Sequence, residues 1–347
     1  MTLAEAVLAG NRLALARLLT QVENDSVEGR AARDELFPHT GRAHLIGVTG
    51  APGTGKSSLV NQLALAFRRP GDGRAPRRVA IVAVDPTSPF SGGAVLGDRV
   101  RMRDLSGDPG VFIRSMASRG TLGGLARSTA AVVQVLDAAG FEIILIETVG
   151  AGQSEVDIAR LAHTTLVVEA PGMGDDIQAI KAGILEIADV LVINKADRPG
   201  VENTERALRA MLEMANPAHP HHDSDAPVGW LPPVLRTVAT EGTGIQAVAQ
   251  AIAGHGEYLR RSGEWRCREQ ARLQNELQLL LQSTLVANWR ARVAESVYQR
   301  ALQGLVERRL SPNEAVARLI AIAEEGIARE EQEAALLRHW APPEVYE

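Results

Sequence analysis

The run Gly50-Ala51-Pro52-Gly53-Thr54-Gly55-Lys56-Ser57 fits G-x-x-x-x-G-K-[ST] in full. These residue types at this spacing make a cradle for phosphate. The glycines let successive backbone N–H groups turn inward, and the helix that follows adds the partial positive charge of its N-terminus. Lys56 would reach the β- and γ-phosphates and assist their transfer, and the Ser57 hydroxyl would ligate Mg²⁺. Gly50, Gly53, Thr54, Gly55, Lys56, Ser57 and Ser58 are therefore the expected phosphate-side contacts. The alternative is a glycine-rich strand–helix turn with no ligand.

Asn194-Lys195-Ala196-Asp197 fits N-K-x-D at the end of an apolar run. The Asp197 carboxylate can accept from both guanine N1–H and the exocyclic amine. Adenine offers neither donor there, so ATP would leave a buried carboxylate unpaired, at a cost of about 1–3 kcal/mol or more. Asn194 and Lys195 would brace the loop and stack along the base. The expected ligands are GTP and GDP; the alternative is an exposed strand-end turn.

Glu147-Thr148-Val149-Gly150 takes the place of a D-x-x-G motif, with glutamate for aspartate. A carboxylate at that strand end can hold Mg²⁺ or its water shell. The Gly150 N–H is a candidate sensor of the γ-phosphate. Ras-like enzymes place a glutamine directly after this glycine; here Ala151 follows and Gln153 lies further on, which argues against a Ras-like role for Gln153. Asp85 ends another strand, and Asp98 follows it. Both are candidates for the metal side, although Asp98 could instead pair with Arg99, Arg101 or Arg103 on a solvated helix. Arg101, Arg103, Arg114 and Arg119 suit phosphate or partner contacts and a solvated basic face equally. The loop Pro171-Gly172-Met173-Gly174-Asp175-Asp176, with Lys181 on the helix after it, has the composition of a mobile element. On pattern alone an ordinary loop with an N-cap aspartate explains it as well.

These loops need a scaffold that ends apolar strands beside one another. Between about residues 42 and 262, apolar runs alternate with helical patterns. The predicted strands are His44–Thr49, Arg78–Val84, Glu142–Ile146, Thr165–Glu169, Val190–Asn194 and Leu235–Ala239. The predicted helices are Lys56–Arg68, Leu122–Ala138, Asp175–Ile187, Asn203–Met214 and Gly244–Leu259. Wholly apolar strands alternating with helices imply an α/β fold with a mainly parallel central sheet flanked by helices. The expected domains are a helical N-terminal extension (1–41), the α/β domain (42–262) and a helical C-terminal arm (263–347). In the arm, Glu264–Leu305 reads as one helix with an apolar stripe of Leu273, Leu277, Leu280, Leu281 and Trp289 that something must cover. A second arm helix starts at Ser311-Pro312 and runs to about residue 338. Trp230, Trp265, Trp289 and Trp340 are expected to pack the arm and its junction, and His163 to pack at a helix end.

Composition sets outer limits. The 347 residues carry a formal charge of −5, and only 3% are aromatic. Those values and a pI near 6.0 argue against nucleic-acid binding. The single cysteine, Cys267, leaves no disulfide framework. No apolar run approaches the roughly 18 residues of a membrane span, so a cytoplasmic protein off the membrane is the expectation.

The runs GVTGAPGTGKSSL, VDPTSPFSGGAVLGDRVRM, ETVGAGQSEVDIA, PGMGDDIQAIKAGILEIADV and NKAD resemble the MeaB/ArgK family, over nearly the whole chain. That family includes the human methylmalonic aciduria type A protein. The resemblance implies a P-loop GTPase of the class shared with signal-recognition and metal-insertion proteins, dimeric through its C-terminal arm. It implies a chaperone of an adenosylcobalamin-dependent acyl-CoA mutase that gates cofactor loading and release of damaged cofactor. By the same resemblance Asp85, Asp98 and Glu147 match magnesium-side carboxylates, and Asn194 and Asp197 match guanine readers. Gly172–Lys181 matches a third switch, with Asp175 and Lys181 as coupling residues. Thr240-Glu241-Gly242-Thr243-Gly244 matches the final base-side loop, with Ala239 as its backbone contact. Two other activities remain open. One is nickel insertion, with His219, His221, His222 and Asp223 as ligands. The other is a protein kinase of a transport system. A scaffold with a dead nucleotide site is disfavoured by the presence of Lys56, Ser57, Glu147 and Asp197.

Overall fold

The computed structural model describes residues 1–71, 73, 75–86, 103–105, 107–118, 124–148, 158–172, 186–215 and 229–323. Three short helices come first: α1 (Leu3–Leu8), α2 (Arg12–Glu23) and α3 (Val27–Leu36). Each starts on a side-chain cap, from Thr2, Asn11 and Ser26, that satisfies otherwise orphaned N–H groups. The α/β portion then runs β1 (His44–Thr49), α4 (Lys56–Arg68), β2 (Val79–Pro86), β3 (Val111–Ser118), α5 (Gly124–Ala138) and β4 (Ile143–Thr148). It continues through β5 (Thr164–Glu169), β6 (Val190–Ile193), α6 (Val201–Ala215), β7 (Val234–Arg236) and α7 (Ile245–Ser262). The strands form one sheet in the order β3-β2-β4-β1-β5-β6-β7, and every pairing is parallel.

Alternation along each strand divides the core between the two faces of the sheet. Ala80, Val82, Val84, Ile144 and Ile146 meet α5, and Leu15, Leu18, Leu19 and Val22 of α2 join the same buried cluster. Val79, Ile81, Leu145, Val48 and Val168 face α4 and α7. Residues 1–36 are therefore a second helical layer on α5. Arg114 of β3 pairs with Glu23, and Arg127 of α5 with Asp25 at 2.5 Å. Arg114 is thus committed to α2 and is not part of a solvated basic face.

β3 is absent from the predicted strands. It is the sheet edge, and Arg114 and Ser115 interrupt its apolar character, so it lacks the continuous apolar run of a strand buried on both faces. β7 is shorter than expected, because the chain from Thr237 onward leaves the sheet to form a loop. The predicted single arm helix is two: α8 (Glu264–Arg292) and α9 (Glu295–Val306). The break lets Val293 turn inward with Leu319 and Ala323, against Trp289 and Tyr298, and the Trp289 indole N–H donates to the Leu319 carbonyl. Helix α10 occupies residues 312–323; Trp340 and the rest of that predicted helix lie outside the described residues, as does most of Asp175–Ile187.

The chain divides into two compact units, Met1–Glu276 and Leu277 onward. Within the first, the root of α8 docks on the N-terminal ends of β1, β5 and β6 through polar groups. Arg268 donates to both Asp189 oxygens at 2.8 Å and to the His163 carbonyl at 2.7 Å. The Leu45 N–H donates to His163 Nδ1, so Nε2 carries the hydrogen that reaches Glu269 at 2.7 Å. The Trp265 ring stacks on His163 at 3.9 Å between centroids. Glu276 accepts from Arg33 of α3 and Gln134 of α5. The fully buried residues of α8 are Arg272 and Glu276; Leu277, Leu281, Leu285 and Val286 are exposed. His163 therefore does more than pack a helix end.

This junction carries a pH dependence. Burial holds the His255 imidazole down to about 4, against the attraction of Asp189. His44 and His163 are lowered in the same sense by burial. Glu269 is held at about 2: burial opposes this, but hydrogen bonds from His163 and Arg272 outweigh it. Unfolded histidines take up protons below about pH 6.5 that the folded ones refuse, so stability falls as pH falls from there toward 4. The Glu269 contribution is lost further down, below its unfolded value. Each proton counts for up to about 1.4 kcal/mol per pH unit. The melting temperature should decline steadily from pH 7 to pH 4.5, and His255→Gln should flatten the slope; a melting temperature constant over that range contradicts this account.

Candidate nucleotide site

Parallel strands put their C-terminal ends, and the loops that follow, on one side of the sheet. β1 delivers the 50–57 loop there. Gly50 has φ +135° and passes so close to β5 that a Cβ would lie 2.1 Å from the Val168 carbonyl oxygen. Gly55, at φ +92°, would put a Cβ 2.4 Å from Asn194 Nδ2. Both positions therefore need glycine for conformation and for space. Lys56 folds back over the loop, its ammonium donating to the Gly50 and Ala51 carbonyls at 2.8 and 2.9 Å. It is held at the place where phosphate oxygens would replace those carbonyls.

Ser57 and Glu147 lie side by side. The Ser57 hydroxyl donates to Glu147 Oε1 at 2.5 Å, across the adjacent β1 and β4 ends. Glu147 is buried. A hydroxyl and a carboxylate, both oxygen ligands, fit a hard cation such as Mg²⁺. Asp85 lies at the C-terminal end of β2, whose pairing with β4 brings that strand end beside Glu147. The Asp85 side chain, Asp98, Gly150, Asp175, Lys181 and the 219–223 histidine-rich loop lie outside the described residues.

Asn194 is the hub of the base side. It is buried, and both polar atoms of its side chain are used. Its N–H donates to the Glu169 carbonyl at 2.8 Å and its Nδ2 to the Thr54 carbonyl at 2.8 Å. Its Oδ1 accepts from the Thr237 hydroxyl at 3.1 Å and the Ala239 N–H at 3.0 Å. The Ala239 N–H, expected to meet the base, is thus spent on Asn194 here. Lys195, with φ +57°, lays its stem over the loop and donates to the Gly53 carbonyl at 2.5 Å. Asp197 is exposed and makes no ion pair among the described residues, so its carboxylate is available to a base. Ser58 sits half-buried in the first turn of α4. Sequence reasoning missed Thr237: a lone threonine after a strand carries no signal until Asn194 is seen to need a donor.

The sequence profile of the family described as methylmalonyl Co-A mutase-associated GTPase MeaB matches residues 15–296. A protein of Pyrococcus abyssi named as a GTPase is 43% identical over 310 residues, covering 89% of this chain and 92% of that protein. The mitochondrial methylmalonic aciduria type A homolog of Caenorhabditis elegans is 30% identical over 280 residues, covering 77% and 68%. Among solved structures, one described as LAO/AO transport system kinase superposes with a TM-score of 0.66 at 27% identity, covering 93% of this chain and 96% of the other.

Asn194→Ala strands a buried hydroxyl and two loop carbonyl or N–H groups, each at about 1–3 kcal/mol. GDP affinity measured by calorimetry should fall by about tenfold or more, and Thr237→Val should fall in the same direction by less. Wild-type affinity in Asn194→Ala would remove its bracing role.

Proposed function

The chain belongs to the MeaB family of methylmalonyl Co-A mutase-associated GTPases, and from that membership we propose that it hydrolyses GTP to gate cofactor loading and repair on an adenosylcobalamin-dependent acyl-CoA mutase. Methylmalonyl-CoA mutase or a close relative is the proposed client. The observation that carries the reading is the double use of Asn194. One buried side chain ties the phosphate loop to the loop that presents Asp197, so the guanine-reading and phosphate-holding parts are set relative to each other before nucleotide arrives.

In the proposed reaction, the loop N–H groups and the α4 N-terminus orient the phosphates. Lys56 exchanges its carbonyl partners for β- and γ-oxygens and stabilises charge as the γ-phosphoryl departs. Ser57 and Glu147, with Asp85 and Asp98, would hold Mg²⁺, which when bound neutralises charge on the β- and γ-oxygens. Water is the acceptor. No side chain among the described residues is placed as its base, in keeping with slow hydrolysis that the mutase completes. Asp175 and Lys181 are the proposed coupling residues of the third switch. The exposed Leu277, Leu281 and Leu285 stripe of α8 supports dimerisation through the arm, and a cytoplasmic setting fits the lone Cys267.

Steady-state GTP hydrolysis, alone and with each acyl-CoA mutase of the same organism, tests this reading. One mutase should accelerate release of inorganic phosphate, and Lys56→Ala should lower the rate by about 100-fold or more. No acceleration by any mutase, with GTP still bound, would sink the chaperone role; phosphate found on a transport protein would favour the kinase. Asp197→Asn replaces an acceptor with an amide. It should weaken GTP by roughly 10- to 100-fold and favour xanthosine triphosphate, whose C2 carbonyl accepts where guanine donates. Unchanged base preference would exclude Asp197 as the reader.

A further inference from the structure

A cavity of about 370 Å³ lies between the last turn of α4 and α7 and reaches the N-terminal ends of β1 and β4. Its volume suits a small ligand. Phe67, at its wall, is about 16 Å along the α4 axis from Lys56, so the cavity is separate from the nucleotide site. Its floor is apolar, with Phe67, Ile143, Ala249 and Ala253. Among the described residues its rim carries three arginines against two glutamates. Glu142 is engaged by Arg77 at 2.7 Å. Arg42 makes no ion pair among the described residues, and Arg260 stacks on Trp265 at 4.2 Å with only the Gly256 carbonyl, at 3.3 Å, as acceptor. Glu257 is the one other carboxylate among the described residues, exposed at the mouth.

A buried relay sets the chemistry of the remaining wall residue, His44. Asp189 accepts both Arg268 bonds and the Thr165 N–H. Its Oδ1 is 3.3 Å from His255 Nε2. His255 Nε2 makes no aligned hydrogen bond, but a lone pair turned toward that carboxylate would be repelled, so the tautomer with the hydrogen on Nε2 and a bare Nδ1 is the favoured one. That bare nitrogen accepts the Thr164 hydroxyl hydrogen at 2.8 Å, and the hydroxyl oxygen in turn accepts from His44 Nε2–H at 2.7 Å. His44 Nδ1 is then left as an acceptor that receives no hydrogen bond among the described residues. Burial keeps the ring neutral. A Cβ on Gly256 would sit 3.1 Å from this Nδ1 and 3.4 Å from Arg260 Nη1. The same Cβ would lie 2.8 Å from His44 Cε1, so α7 packs too closely there for a side chain, and His44 Nδ1 and the Arg260 guanidinium are neighbours beside that close approach.

We propose that this cavity binds a small 2-hydroxy carboxylate with an aliphatic body. The carboxylate would meet Arg260 and Arg42, the neighbouring hydroxyl would donate to His44 Nδ1, and the chain would lie on Phe67, Ala249 and Ala253. The adjacency of Nδ1 and Nη1 calls for a hydroxyl on the carbon next to the carboxylate. The bare imidazole calls for a hydroxyl donor over an ether or a second carboxylate.

Calorimetry and saturation-transfer NMR on the full chain, with 2-hydroxyhexanoate as probe, test the assignment. A ligand of this size should bind with a dissociation constant of about a millimolar. Binding should be severalfold tighter than that of hexanoate and at least about tenfold tighter than that of hexylamine, and saturating GDP should leave it unchanged. Ala253→Phe, which fills the cavity, should abolish it. Arg42→Ala, an exposed change, should weaken it severalfold with GDP affinity unaltered. The proposal is overturned by any of four results: no saturable binding up to about 20 mM, equal binding of hexylamine or hexanoate, undiminished binding in both variants, or displacement by GDP.

Discussion

The phosphate loop depends on one buried amide. A loop with glycines at positions 50, 53 and 55 has little conformational preference of its own, and two of those glycines are required by close approach to β5 and to Asn194. What fixes the loop is Asn194, which uses its main-chain and side-chain groups to join the ends of β5, β6 and β7 to the loop after β1. Every polar group of that side chain is paired, and its burial raises the cost of any alternative arrangement. The site is thereby organised in advance, and binding has less order to create. Lys56, parked on two loop carbonyls, is the complementary case: a charge kept satisfied by contacts that phosphate can replace.

The two ends of the parallel sheet are specialised differently. At the C-terminal ends, the Ser57 hydroxyl meets Glu147 beside the phosphate loop. At the N-terminal ends, Asp189, Thr164, His255, His44 and His163 form a continuous polar chain beneath α7 and the root of α8. Buried ion pairs add little net stability compared with apolar packing, but losing one partner strands the other, at about 3–5 kcal/mol. Such a junction specifies one seating for α8 more strongly than it stabilises it. Arg272, with Nε and Nη1 unpartnered while Nη2 pairs with Glu269, shows that the seam is not tuned for maximum stability.

Much of this organisation was legible in the sequence because the relevant signals are local. Six strands read as apolar runs, and the 50–57 and 194–197 motifs each sit at the end of one. The signals that failed are non-local. β3 is an edge strand whose Arg114 pairs with Glu23 of α2, and no pattern within the strand reveals a partner that far away in the chain. The break after α8 depends on Val293 finding Leu319. Thr237 matters only through Asn194.

The root of α8 gives the sharpest case. Its sequence presents leucines at helical spacing and charges between them, which ordinarily means leucines inward and charges outward. The structure inverts that expectation: Arg272 and Glu276 are buried, while Leu277, Leu281 and Leu285 are exposed. The inversion has a physical cause. The surface that receives the root of the helix presents polar groups of His163, Asp189, Gln134 and Arg33 that need polar partners, which Glu269, Arg268 and Glu276 supply, while Trp265 stacks on the His163 ring. Leu277, Leu281 and Leu285 lie past that docked root in the chain and are exposed. An exposed stripe of this kind, continued by Val286, costs solubility unless another surface covers it. A second copy of the arm would present the same stripe in return, as two-fold association requires.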